Sequence, residues 1–241
     1  MKILTSDTQP IHLAIVCCQH GNERFGLTVF EYISSHLTDF PGVKLILANE
    51  PAIEQNIRFL ETDLNRSFPG SPTGKKEECL AYNLLREVAN IPYLLDIHTT
   101  TSDIRMVPIL TTLNEQTKHI INLTSSHEVV LIEPPLAGHS LIANVPAGVS
   151  LEFGNSFSKT QTALQETIAT IRGILNSTHT NPSPREIFRV DGNIPKSIPI
   201  PNDAANFKRI DTLGVYPILL HEAAYINLHA LSATNKNQLD L

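Results

Sequence analysis

Short apolar runs that alternate with segments of helical spacing constrain this chain more than any other feature of its sequence. Residues 11–18 form such a run, partly β-branched, which ends at Gln19-His20-Gly21-Asn22, the pattern of a buried strand that delivers its last residues to a loop. Over 24–36, Phe25, Leu27, Phe30 and Ile33 recur near the helical period, and Pro41-Gly42 closes that element before a second strand at 43–48. Helical spacing returns at 77–88, and 93–98 is a short buried strand that again ends on a histidine. Further strands are expected at 106–110, 129–132 and 149–153, and helices at 114–123 and 159–175. Such alternation specifies an α/β sheet covered by helices, whose sites collect just beyond the strand ends.

Two stretches interrupt the pattern. Residues 56–75 lack periodicity and carry Pro69, Gly70, Pro72 and Gly74, so they form a long loop of the kind that carries function in a compact domain. Beyond Leu175 the chain turns polar and rich in breakers, and short β-like runs follow, which places a domain boundary there: a catalytic domain over 1–178 and a small β-rich domain over 179–241. A chain of 241 residues can bury a core of this size without staples.

Composition narrows the functional classes. Twenty-four acidic against 18 basic residues give a formal charge of −6, and the basic residues are scattered, so neither nucleic acid nor an anionic membrane finds an electrostatic footprint. No apolar run approaches the roughly 18–20 residues that span a bilayer. Cys17, Cys18 and Cys79 cannot all pair, and two of them lie within a buried strand, so they read as core residues of a cytoplasmic protein.

The chemistry gathers at strand ends. His20 and Glu23 are close enough for one turn of chain to aim both at a common point, and His98 arrives from another strand. Two imidazoles and a carboxylate make a zinc site with one position open, the arrangement of a catalytic metal. On spacing alone the commoner reading is a surface histidine beside a helix-initiating glutamate. Asp96, on the same strand face as His98, would either orient that imidazole from behind or bond to backbone.

The company these residues keep shifts the balance. His20-Gly21-Asn22-Glu23, Asp63-Leu64-Asn65-Arg66, Asp96-Ile97-His98 and Leu151-Glu152-Phe153-Gly154, in this order, resemble the aspartoacylase and succinylglutamate desuccinylase family of zinc-carboxypeptidase-like enzymes, and Glu222-Ala223-Ala224-Tyr225 looks like a segment of aspartoacylase. The resemblance implies a mixed central sheet with helices on both faces and a small C-terminal β domain. It implies one Zn2+ per chain on His20, Glu23 and His98, with Glu152 as the base that takes a proton from the attacking water and passes it to the leaving amine. Arg58 matches the arginine that stabilises the oxyanion, Asn65 and Arg66 the pair that holds the substrate's α-carboxylate, and Tyr225 a substrate-contacting tyrosine.

The activity so implied is removal of a short acyl group from an N-acyl amino acid such as N-acetylaspartate. A zinc carboxypeptidase acting on short peptides, and a zinc-binding protein without turnover, are the alternatives, the first distinguished by whether the C-terminal module roofs the cleft. Thr99 stands where aspartoacylase has asparagine, and Glu152-Phe153-Gly154-Asn155 departs from the usual Glu-x-Gly-Pro. The C-terminal module is short for the family, which leaves a homo-oligomer open as the source of missing walls. Zinc, Glu23, Glu152, Arg58 and Arg66 together give an expected cleft charge of about +2, drawing in small anionic substrates.

Overall fold

The computed structural model describes the chain except residues 8, 135, 178–183, 240 and 241. In chain order its strands are β1 (Lys2–Thr5), β2 (Leu13–Cys17), β3 (Val43–Leu47), β4 (Tyr93–Thr100), β5 (Met106–Leu110), β6 (Glu128–Leu131), β7 (Gly148–Gly154), β8 (Arg185–Arg189), β9 (Gly192–Pro195), β10 (Tyr216–Ile218), β11 (Leu228–Ala233) and β12 (Lys236–Leu239). The helices are α1 (Arg24–Ser35), α2 (Glu50–Gln55), α3 (Lys76–Val88), α4 (Glu115–Asn122) and α5 (Gln161–Leu175). The order β1-β3-β2-β4-β7-β5-β6-β8-β12 makes one nine-stranded sheet, and β10-β11-β9 a small antiparallel one.

The large sheet is mixed: its edge strands β1 and β12 run antiparallel to β3 and β8, and its polarity also reverses in the middle. Strands β3, β2, β4 and β7 are parallel, β5 runs antiparallel to β7, and β6 and β8 follow β5. All five residues of β2 and of β5 are buried, as expected for strands covered on both faces. One face, with Ile15, Leu45, Ile97 and Leu151, packs on α1 and α5. The other, with Val16, Ile46, Val107 and Phe188, packs on α3 and on Ile142 and Leu219. Local signals end the helices where the sequence places them: Asn114 accepts from the Thr117 N–H at the start of α4, and Thr160 from Ala163 at the start of α5.

The expected boundary between 178 and 179 lies outside the described residues. The chain beyond it supplies β8 and β12 to the large sheet as well as the whole of the small one. Edge strand β1 and helix α2 have no counterpart in the sequence reading. No helix among the described residues is long and apolar enough to cross a membrane.

One buried carboxylate fixes the long loop. Glu77, in the first turn of α3, accepts from the backbone N–H groups of Leu60 (2.6 Å), Glu61 (3.1 Å) and Thr62 (3.2 Å) and from Asn49 Nδ2 (3.3 Å). A loop with few apolar anchors is thereby tied to a helix just beyond Arg58. Glu77→Ala leaves these donors unsatisfied, and at about 1.5–3 kcal/mol for a hydrogen bond to a charged group the variant should lose at least about 2 kcal/mol in chemical denaturation; an unchanged midpoint would contradict this role.

Candidate metal centre and cleft

The turn after β2 carries His20 and Glu23 to the end of β4, where His98 stands. Gly21 makes the approach feasible: a Cβ there would lie 2.1 Å from the Ala52 carbonyl carbon, so only glycine lets this turn pack on α2. Glu23 occupies the N-cap position of α1 but makes no side-chain cap. Its Oε1 instead meets His20 Nδ1 at 2.5 Å, while its Oε2 meets His98 Nδ1 at 2.9 Å and accepts from the Thr99 N–H at 3.0 Å. The commoner reading of this spacing, a helix-initiating glutamate beside a surface histidine, is therefore not what the chain builds: His20 is 2 % exposed and Glu23 5 %.

Both imidazoles are held from behind by a carboxylate. His20 Nε2 lies 2.9 Å from Asp63 Oδ1, and His98 Nε2 lies 2.8 Å from Asp96 Oδ2. Asp96 Oδ2 also accepts from Gln19 Nε2 (2.6 Å) and Ser150 Oγ (3.3 Å). Of the alternatives open for Asp96, the histidine partner is the one observed. With each Nε2 engaged outside, each Nδ1 faces inward, and donor atoms of His20, Glu23 and His98 lie within 4.8 Å of one another. Carboxylate-backed imidazoles of this kind are how proteins orient histidine ligands on a metal, and two imidazoles with a carboxylate suit zinc.

The charges close to the centre point the same way. Burial works against an imidazolium at His98, but Asp96 and Glu23 more than offset it and raise its pKa well above the ordinary value; His20 is raised similarly by Glu23 and Asp63. Burial likewise works against ionised Glu23 and Asp63, yet the neighbouring imidazoles bring both well below the usual carboxylate range, with Arg58 adding to the effect at Asp63. Without a cation the surrounding carboxylates therefore favour the protonated form of both histidines.

These residues form one end of a cavity of about 650 Å3. Arg58, Asn65, Arg66, Glu152 and Tyr225 all line it. Arg58 is clamped by Asp63 Oδ2, which accepts from its Nε at 3.0 Å and its Nη2 at 2.9 Å, and its Nη1 lies 3.5 Å from Glu23 Oε1. Asn65 Oδ1 accepts from the Leu141 N–H at 3.1 Å, which fixes that side chain across the loop. Glu152 pairs in register with His98, one strand over on β7; chiefly burial, with Glu23 and Glu222 adding and His98 opposing, pushes its pKa up to about 7.

Two participants escaped the sequence reading. Asp63 stood in a quoted motif without a role, yet it joins His20 to Arg58. Glu222 takes hydrogen bonds from the Thr100 hydroxyl, from the Thr101 N–H (2.8 Å) and hydroxyl (3.1 Å) and from the Ala224 N–H (2.9 Å), pinning the Tyr225 segment over the end of β4. These two acids correct the expected cleft charge. Glu23, Asp63, Glu152 and Glu222 line the cavity against Arg58 and Arg66, so a dication brings the formal sum to about zero rather than +2. His221, next to Glu222 in the chain, packs edge-on to His229 with ring centroids 6.0 Å apart and is not among the residues that line the cavity.

Comparison with known proteins places the chain in a family. The succinylglutamate desuccinylase/aspartoacylase catalytic domain matches residues 10–178. The chain belongs to that family. It is 24 % identical over 152 residues to an N-acyl-aromatic-L-amino acid amidohydrolase (carboxylate-forming) of Xenopus tropicalis, an alignment covering 56 % of this chain and 48 % of that protein. It is 26 % identical over 216 residues to the aspartoacylase of Danio rerio, covering 74 % and 67 %. It therefore spans about half the length of the first of these curated relatives. Among solved structures, murine aminoacylase 3 superposes with a TM-score of 0.74 at 19 % identity, covering 97 % of this chain and 98 % of that one. Succinylglutamate desuccinylase from Chromobacterium violaceum follows at 0.68 and 17 %, covering 97 % and 86 %. These likenesses carry the fold, a mixed sheet between helices with a small second sheet.

Competition between a metal and protons at the two histidines gives a direct test. A divalent cation entering the cluster competes with protons for His20 and His98, whose pKa values are both raised, so calorimetric titration of the metal-free protein at several pH values in buffers of different ionisation enthalpy should show proton release and an affinity that falls as pH falls. Binding without proton release would place the metal elsewhere.

Proposed function

We propose that this chain is a zinc-dependent amidohydrolase that removes the acyl group from N-acyl amino acids. The observation that carries the proposal is the pair of imidazoles turned inward by Asp63 and Asp96 and sharing Glu23, with the Glu152 carboxylate in the same cavity. Zinc bound to His20, Glu23 and His98 would supply Lewis acidity at the scissile carbonyl and lower the pKa of water to about 7. The named activities of the family relatives, aspartoacylase and N-acyl-aromatic-L-amino acid amidohydrolase, are hydrolyses of this class.

The protein's own groups divide the remaining work. Glu152 is half-buried with its pKa pushed up to about 7, so its carboxylate can accept a proton from the attacking water and return it to the amine nitrogen as the C–N bond breaks. Arg58, its guanidinium held rigid by Asp63, faces the cavity as a fixed cation for the oxyanion that develops on the carbonyl oxygen. Arg66, Asn65 and Tyr225 hold the substrate's α-carboxylate. Burial raises the Tyr225 phenol well above its ordinary pKa, with Glu152 adding to the effect, so Tyr225 stays protonated and serves as a hydrogen-bond donor. Leu219 and residues 222–226 of the C-terminal segment form part of the cavity wall.

Glu152→Ala should keep about one zinc per chain while hydrolysis of N-acetyl amino acids falls by at least about a hundredfold. Near-normal turnover would remove it as the base. Arg66→Ala should mainly raise KM for substrates that carry an α-carboxylate; an unchanged KM would move the carboxylate site.

A further inference from the structure

The cavity is much larger than the chemistry needs, and its charges lie at one end. At roughly 30 Å3 per water it has room for about twenty water molecules, far more than an acetyl group on a small amino acid would displace. Every charged lining residue comes from the turn after β2, the loop around residues 58–66, β4, β7 or the segment around Glu222. The wall built by β5, β6, β8 and the turn at 141–144 contributes Ile109, Ile132, Ile142 and Val190 and no charge; Leu219 and Leu231 face it from the C-terminal segment.

The position of this wall follows from the polarity reversal in the sheet. Val107 pairs with Glu152, and Ile109 pairs with Ser150, two residues further down the same face of β7. Val190 and Ile132 follow the ends of β8 and β6, strands that run opposite to β7. The chamber therefore leads from Glu152 across the sheet face, away from β2 and the metal ligands. Its hydroxyls are already committed: Ser150 donates to Asp96, Thr111 to the Ile142 carbonyl (3.1 Å) and Ser140 to the Ala137 carbonyl (2.8 Å). The rim is apolar too. Phe59, Leu136 and Ile226 line the cavity and are among the exposed large hydrophobic residues of the described chain, at 37 %, 63 % and 82 % exposure.

Which half of the substrate enters follows from amide geometry. The α-carboxylate is attached to the amine half and belongs to Arg66 under the function proposed above, on which this inference rests. A trans amide places the carbon chains of its acyl and amine halves on opposite sides of the C–N bond. Anchoring the carboxylate at the cationic loop thus aims the acyl group along the sheet. We propose that the chamber lined by Ile109, Ile132, Ile142, Val190, Leu219 and Leu231 is an acyl pocket, and that the preferred substrates carry an uncharged apolar acyl chain longer than acetyl. A succinyl carboxylate would be buried there without a cation, which excludes it.

The test uses N-acetyl-, N-butyryl-, N-hexanoyl-, N-octanoyl- and N-succinyl-alanine with N-acetylphenylalanine, on the zinc-loaded protein. Burial of a methylene corresponds to about fourfold, so kcat/KM should climb by about that factor per methylene until the chamber fills, with N-succinyl-alanine below N-acetyl-alanine. The same compounds titrated into zinc-loaded Glu152→Gln should show affinity rising with acyl length, and Val190→Phe should flatten that rise. A flat acyl series with N-acetyl-alanine hydrolysed, or a gain that follows the phenylalanine side chain instead, would overturn the acyl pocket. Length-dependent binding without any hydrolysis by the unmodified chain would support the pocket and overturn the proposed function.

Discussion

The site depends on one carboxylate shared by two imidazoles. Glu23 is buried, and both its oxygens are taken by His20 and His98, so the turn after β2 and the end of β4 are locked to each other through it. Around this bridge stand Asp63 and Asp96, each on the outer nitrogen of one histidine, and Arg58 on Asp63. Formally the three carboxylates outnumber the guanidinium by two. Two imidazolium protons or one divalent cation restore neutrality equally well, and a buried cluster left without either would be strongly unfavourable. The charge count admits either, and the inward Nδ1 atoms and the donor types are those that suit a single dication.

This constraint reaches outward through the scaffold. Glycine at position 21 lets the ligand turn sit against α2, Glu77 fastens the loop beside Arg58, and Glu222 fastens the Tyr225 segment to the end of β4. Two of these regions, far apart in sequence, are thus each held by a single acidic side chain accepting backbone N–H groups. The polarity reversal between β7 and β5 then separates the polar end, where the strand ends deliver titratable groups, from an apolar chamber on the neighbouring strands.

What the sequence made legible was mostly local. The strand that ends before His20, the strand that ends with His98 and Thr99-Thr100, and the helices with Asn114 and Thr160 caps follow from periodicity and terminal signals within short windows. The candidate ligands were visible because strand ends concentrate sites, and motif order weighed against chance. Asp63, Glu77 and Glu222 were not legible in their roles because each acts on residues distant in the chain, and nothing in the local pattern separates them from solvated surface acids. The apolar chamber was hidden for the opposite reason: Ile109, Ile132 and Val190 belong to or follow runs that read as ordinary core, and only the packing of the C-terminal segment leaves space beside them. The expected positive cleft failed on the same account, since two of the acids that cancel it were missing from the count.

Whether His20, Glu23 and His98 hold one zinc ion is read by X-ray absorption at the zinc edge of the stoichiometrically loaded protein. Ligation by these residues should give a first shell of nitrogen and oxygen at about 2.0–2.2 Å with the outer scattering of two imidazoles. A sulfur shell at about 2.3 Å, or an oxygen-only shell without imidazole scattering, would contradict it.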